Sequence, residues 1–263
     1  MSSLLLRGVL CVFLLGGGVG CAISQEQEIE MGRQTHGQFE QEFGGLYNDP
    51  VVQGYVNRVG TSLVQFAGRR ELPWQFRVVD SDQINAFALP GGYVYITRGL
   101  LGNLEDEAQL AAILGHEIGH VVERHPVQQI QRAQGAQFIP FLAGIFGGGT
   151  AGDVAGAVTQ LGLMKYGRDQ EREADYRGLT YMTRGGYDPE GIVQAMEILQ
   201  RASGGGGRTP EFLSTHPNPG NRIEYLSEAI DKSDARQAGA HITGEDAFRT
   251  NVIERLRPVR RRR

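Results

Sequence analysis

Cysteine is nearly absent: Cys11 and Cys21 are the only two in 263 residues, too few for a disulfide framework. Long hydrophobic runs are missing as well. Val9 to Leu15 is apolar but too short to span a bilayer as a lone helix. Residues 133–164 are apolar and glycine-rich, yet Pro140, Asp153 and the glycines break every run well short of a span. No excess of one charge exists, with a net charge of -4 and a pI near 5.9, so nothing favours nucleic acid. There is no phosphate-binding loop or Walker motif, so no nucleotide is expected, and no internal repeat. What is present, 40% hydrophobic and 21% charged residues, describes a globular chain long enough to bury a core.

The N-terminus reads as a targeting segment. Arg7 supplies a positive flank to the apolar core, small residues Gly16 to Gly20 follow, and Cys21 comes next. This is similar to a bacterial lipoprotein signal, in which the cysteine after the cleavage point is lipidated; Gly18 departs from the usual apolar residue. Residues 1–20 are therefore expected to be removed, with Cys21 carrying a lipid. An ordinary secretory signal and a retained anchor are the alternatives. Cys11 lies in the segment to be removed, so the mature chain would hold no internal disulfide. At the other end, Arg255, Arg257 and Arg260 to Arg263 form a basic tail, read as a solvated end or as an adhesive for anionic lipid headgroups.

Between the termini the periodicity changes twice. Residues 22–45 are polar with Ile29, Met31 and Phe39 at helical spacing, and Asn48-Asp49-Pro50 starts a second helix carrying Val52, Tyr55, Val56, Val59 and Leu63. After Pro73 the pattern predicts strands at 76–80, 86–89 and 93–97, the last two joined by Pro90-Gly91-Gly92, as a small antiparallel sheet. Helix returns from Asn103, with Glu105, Asp106 and Glu107 in its first turn and Leu110, Ala111, Leu114, Ile118 and Val121 as its buried stripe. Pro126 kinks or ends it. Residues 133–164 are expected to form small-residue helices packed on the domain, a membrane hairpin being the alternative. Helices over 170–184 and 190–201 and a glycine loop at 204–207 complete the pattern.

The third helix contains His116-Glu117-Ile118-Gly119-His120. Residues i and i+4 share one helix face, so both histidines can hold one ion. Glu117 lies about 100° around the helix, within reach of a water on that ion. A catalytic zinc site needs a third protein ligand. Glu171 and Asp175, also spaced i, i+4, supply a carboxylate to complete the set and a second to accept the free ring N–H of a ligand histidine. We therefore expect His116, His120 and Glu171 as ligands of one Zn2+ per chain, Asp175 as the partner of a ligand histidine and Glu117 as general base. His36, His125 and His241 have no partner at ligand spacing and read as structural or surface residues.

His116 to His120, Glu171 to Asp175, Asn85 to Gly92 and Ser214-Thr215-His216-Pro217 together resemble the membrane-associated zinc metallopeptidases that include HtpX and the Ste-type CAAX proteases. The likeness covers roughly 25–232 and is strongest to the soluble lipoprotein branch with BepA, LoiP and the Oma-type enzymes. It implies an α+β, mostly helical zincin-like (gluzincin) fold with a small sheet beside the active-site helix. The metallopeptidase domain would span 21–235 and a basic extension 236–263, leaving no room for a C-terminal repeat domain. It also implies that Asn85, Ala86, Phe87 and Ala88 border the cleft, where an extended substrate adds edge-on, and that His216 approaches the metal as a latch or carbonyl polariser. Arg222 would point toward the site. The implied function is a zinc endopeptidase in the periplasm, lipid-anchored to the outer rather than the inner membrane, acting on unfolded or misassembled envelope proteins. The rival is a periplasmic chaperone or assembly factor with a closed, non-catalytic zinc site. A peptidoglycan hydrolase or amidase would use a different ligand arrangement.

Overall fold

The computed structural model describes residues 23–132, 165–204, 211–216, 219–233 and 241–256. The targeting segment, Cys21, the 133–164 stretch, residues 205–207 of the glycine loop and the tail beyond Leu256 lie outside the described residues. Among those described, no helix is long and apolar enough to cross a membrane.

Helix α1 (Gln25–Glu42) opens on a capping box, in which Ser24 Oγ accepts the Gln27 N–H and the Gln27 side chain accepts the Ser24 N–H. Helix α2 (Pro50–Val64) begins with Asp49 accepting the N–H groups of Val51 and Val52, and with Pro50 where no helical donor is needed. Three strands follow: β1 (Gln75–Val79), β2 (Ala86–Leu89) and β3 (Tyr93–Thr97). Gly91 and Gly92, at φ 82° and 96°, make the β2–β3 turn in a region closed to most side chains.

The sheet is mixed, which corrects the antiparallel expectation. Its order is β1-β3-β2; β2 pairs antiparallel with β3, but β1 pairs with β3 in parallel. Residues 80–85 cross the end of β3 and deliver the chain to its far side. Thr97 Oγ1 fastens that crossing, donating to the Gln83 carbonyl at 2.6 Å and accepting the Asn85 N–H at 3.1 Å. Alternation along β2 then divides its neighbours. Ala86 and Ala88 face the main core, while Phe87 and Leu89 join Phe39 of α1, Tyr93 and Tyr95 on the other side.

A short helix α3 (Arg98–Leu101), capped by Thr97, precedes the central α4 (Glu107–Val122). Helix α4 thus starts after Asn103, because Asp106 is the residue whose side chain caps it, through the Gln109 N–H. It is buried on every side from Glu107 to Val121, more than a single stripe, since α2, β2, α6 (Arg168–Arg184) and α7 (Glu190–Gly204) all pack on it. The helical path breaks before Pro126: Arg124 takes φ 58°, and α5 (His125–Arg132) sets off in a new direction. Helices α8 (Glu211–Thr215), α9 (Pro219–Lys232) and α10 (Glu245–Asn251) follow. Residues 241–256 fold back onto the start of α4, where the Ala108 N–H donates to the Thr243 carbonyl at 3.0 Å, and bury Phe248 and Val252 in the main core.

Candidate metal centre

Helices α4 and α6 touch backbone to backbone. A Cβ on Gly178 would sit 2.8 Å from His116 N, and one on Gly119 would sit 2.9 Å from the Ala174 carbonyl, so both contacts require glycine. This approach brings the first turn of α6 beside the two histidines of α4, and the end of α8 adds a third. His116, His120, Glu171 and His216 each offer one donor atom, all within 4.8 Å of one another, and all four are buried. His120 Nε2 and His116 Nε2 are 3.0 Å apart, His116 Nε2 and His216 Nδ1 are 3.2 Å apart, and His216 Nδ1 is 2.9 Å from Glu171 Oε1.

These separations fit a metal ion. Tetrahedral zinc with ligands at about 2.0–2.1 Å requires edges of about 3.4 Å, close to what the nitrogens already show. Imidazole and carboxylate are also the donor set of that ion. Hydrogen bonding leaves a further sign: both oxygens of Glu117 are buried with no hydrogen-bond partner. Buried carboxylate oxygens are seldom left so unless something else faces them. Glu117 is fully buried, and burial pushes its carboxyl up from the usual range; its nearest basic neighbour is His216, with Nε2 3.7 Å from Oε1.

The surroundings hold this geometry. His116 Nδ1 lies 2.9 Å from Asp175 Oδ1, so it donates there and leaves Nε2 for the cluster. Arg222, on α9, grips Asp175 with Nε to Oδ2 at 2.9 Å and Nη2 to Oδ1 at 2.7 Å. Burial works against the Asp175 charge, but Arg222 and His116 outweigh it and bring its pKa down to about 2. Arg222 Nη1 also lies 2.8 Å from Glu171 Oε2, a charge contact at an angle that makes no hydrogen bond. Burial again opposes, yet His216 and Arg222 hold Glu171 well below the carboxylate range. Burial, helped by the neighbouring His116 and His216 and opposed by Glu171, drives His120 well below the ordinary histidine value, which keeps its ring neutral. His216 goes the other way, since Glu171 and Glu117 overcome its burial and raise it.

Asn85 is buried, and its Oδ1 accepts the Ala86 N–H at 3.0 Å. Because the Thr97 N–H bonds the Asn85 carbonyl, the antiparallel alternation turns the backbone polar groups of Ala86 and Ala88 away from β3. That side of β2 pairs with no other strand among the described residues. One step earlier, the Ile84 carbonyl accepts the Phe212 N–H at 3.1 Å, which ties α8 and its His216 to the approach of β2.

Several residues here were not foreseen. Tyr225 donates to Asp175 Oδ2; it lies one turn beyond Arg222, a spacing that was readable. Tyr166 stacks on His120 with ring centres 3.9 Å apart, and Phe212 stacks on His216 at 4.3 Å; no local pattern announces either. His125, taken above as structural, lies 2.9 Å from His120.

The sequence profile of Peptidase family M48 matches residues 50–230. The beta-barrel assembly-enhancing protease of Escherichia coli K12 is 33% identical over 225 residues, covering 80% of this chain and 45% of that protein. The mitochondrial metalloendopeptidase OMA1 of Schizosaccharomyces pombe is 33% identical over 184 residues, covering 70% of this chain and 54% of that protein. Bovine OMA1 is 35% identical over 193 residues, 68% of this chain and 37% of its own length. The chain thus spans about half or less of the curated relatives it matches. A match running from α2 through α9, across all four clustered donors, makes this chain a member of peptidase family M48.

Proposed function

We propose that this chain is a zinc-dependent endopeptidase of the bacterial cell envelope, with one Zn2+ held by His116, His120 and Glu171. The observation that carries the reading is Glu117: a buried carboxylate with two unpartnered oxygens beside four converging donors. A purely structural ion needs no such base. The ion, when bound, acidifies a water and polarises the scissile carbonyl. Glu117 takes the proton from the attacking water and delivers it to the leaving amine, and burial, by raising its proton affinity, suits it to hold that proton in between. Asp175 and Arg222 keep His116 and Glu171 in orientation. The outward Ala86 carbonyl and the outward backbone groups of Ala88, flanked by Asn85 and Phe87, offer hydrogen bonds to an extended substrate. Its scissile bond would then lie along α4.

His216 closes the cluster and acts as the latch, so the resting enzyme is latent. We take unfolded or misassembled envelope proteins as the substrates, a reading in keeping with a bacterial relative named as a beta-barrel assembly-enhancing protease, and a lipid on Cys21 as what holds the enzyme at the outer membrane from the periplasmic side. The same closed set of four donors supports the second reading, a chaperone with a non-catalytic ion. One comparison separates them: Glu117→Gln should bind zinc like the wild type but lose roughly 10²–10⁴-fold in hydrolysis of an unfolded protein such as casein. No zinc-dependent hydrolysis by the wild type or by an unlatched His216→Ala variant favours the chaperone.

A further inference from the structure

The break between α4 and α5 carries a line of hydrogen bonds that the mechanism above does not use. His120 Nδ1 lies 2.9 Å from His125 Nδ1, and His125 Nε2 lies 3.2 Å from Glu173 Oε2. A neutral imidazole has one N–H, and a carboxylate only accepts. His125 therefore donates from Nε2 to Glu173, and its bare Nδ1 accepts the N–H of His120 Nδ1. That leaves His120 Nε2 as a free lone pair. It is this atom that faces His116 Nε2 at 3.0 Å and Glu171 Oε1 at 3.5 Å.

The backbone is bent to make this contact. Five residues along an unbroken helix would turn His125 away from His120, but Arg124 takes the left-handed region at φ 58° and redirects the chain. For a non-glycine residue that conformation is unfavourable, because Cβ crowds the following carbonyl oxygen. The Arg124 side chain offsets the cost, with Nε donating to Glu28 at 2.9 Å and Nη2 to the Ile23 carbonyl at 2.6 Å. His125 ends 1% exposed, with Glu173 at the water-facing end of the line.

We propose that His125 is a positioning residue for His120, fixing its ring and tautomer, and that Glu173 orients His125 in turn. This rests on the reading of His120 as a metal ligand. Each histidine of α4 then has its own support, Asp175 for His116 and the His125–Glu173 pair for His120, and such partners typically alter metal affinity 10–100-fold.

The test uses the full chain as wild type, His125→Leu, His125→Asn and Glu173→Ala. Zinc affinity is measured by chelator competition, and the histidine tautomers of the zinc-free proteins by nitrogen-15 NMR. Leucine removes the acceptor. Asparagine restores one, because its Oδ1 occupies the place of the histidine Nδ1. We expect His125→Leu to weaken zinc binding about 10–100-fold and to mix the His120 tautomers, and His125→Asn to recover most of the affinity. Glu173→Ala, at a half-exposed carboxylate, should weaken binding by a smaller factor without changing the zinc-free melting temperature. Wild-type affinity and a single Nδ1–H tautomer in His125→Leu would overturn the proposal. So would an equal loss in the asparagine and leucine variants, which marks a packing role. Failure of the wild type to take up zinc would overturn the ligand reading itself, and is visible before any variant is compared.

Discussion

His216 Nδ1 sits 2.9 Å from Glu171 Oε1, on the inner side of the cluster, with its ring stacked on Phe212 and both residues buried. Under the proposed latch role, this side chain is held by the carboxylate and the ring stack, besides its 3.2 Å approach to His116 Nε2. His216→Ala should raise casein hydrolysis by up to about tenfold, the gain from losing a closed state favoured by ~1.4 kcal/mol. Steady-state turnover at saturating zinc reads this directly. A fall in turnover instead would assign His216 a positive part in the reaction.

Acid should loosen the fold through Asp175. Its folded pKa of about 2 lies below the ordinary 3.8, so as pH falls the unfolded chain takes up the proton first. The stabilisation is complete above about pH 4 and is lost between there and pH 2, amounting to about 2 kcal/mol for this fully buried group. Urea unfolding of the zinc-free protein across that range should show the loss, and Asp175→Asn should flatten the slope.

The contact between α4 and α6 sets the ligand geometry. Gly178→Val places side-chain atoms where His116 N already lies 2.8 Å from a Cβ, so the helices must separate. We expect zinc affinity to fall by more than tenfold, alongside a stability loss of about 1–3 kcal/mol from overpacking. Chelator competition and thermal unfolding of the same samples measure the two effects.

Residues 241–256 should matter to the core although they lie beyond the span matched by the family profile. Phe248 is fully buried among the side chains packed on α2 and α4. Phe248→Ala should cost about 3–5 kcal/mol, read as a lowered urea midpoint, with the zinc affinity of the folded protein unchanged.

The local features of this protein were legible where a short-range rule applies. Asp49-Pro50 marks a helix start because capping involves only neighbouring residues. His116, Glu117 and His120 could be placed on one helix because fewer than two turns of sequence contain the whole pattern. Glu171 and Asp175 followed from a count of missing ligands, and the structure brings both to the histidines they were paired with. The antiparallel sheet failed for the opposite reason. Alternation in β1 identifies a strand, but its direction relative to β3 depends on how residues 80–85 cross, which no residue of β1 encodes. The start of α4 differs from the expectation because Asn103, Glu105 and Asp106 all read as helix openings, and the competition is settled by α3 packing ahead of them.

Residue spacing alone thus nominated the helix of His116 and His120, Glu117 as its proposed acid–base residue and Glu171 as its proposed third donor, since all of these follow from helical geometry and valence. Tertiary structure decided what surrounds them. It folded His125 back onto His120 through a left-handed Arg124, stacked Tyr166 on the same ring, and carried His216 across the cluster on a helix hung from Ile84. These contacts join residues tens of positions apart or across a break in the helix. Their physical cause is the burial of α4 on all sides, which no repeat or spacing in the chain expresses.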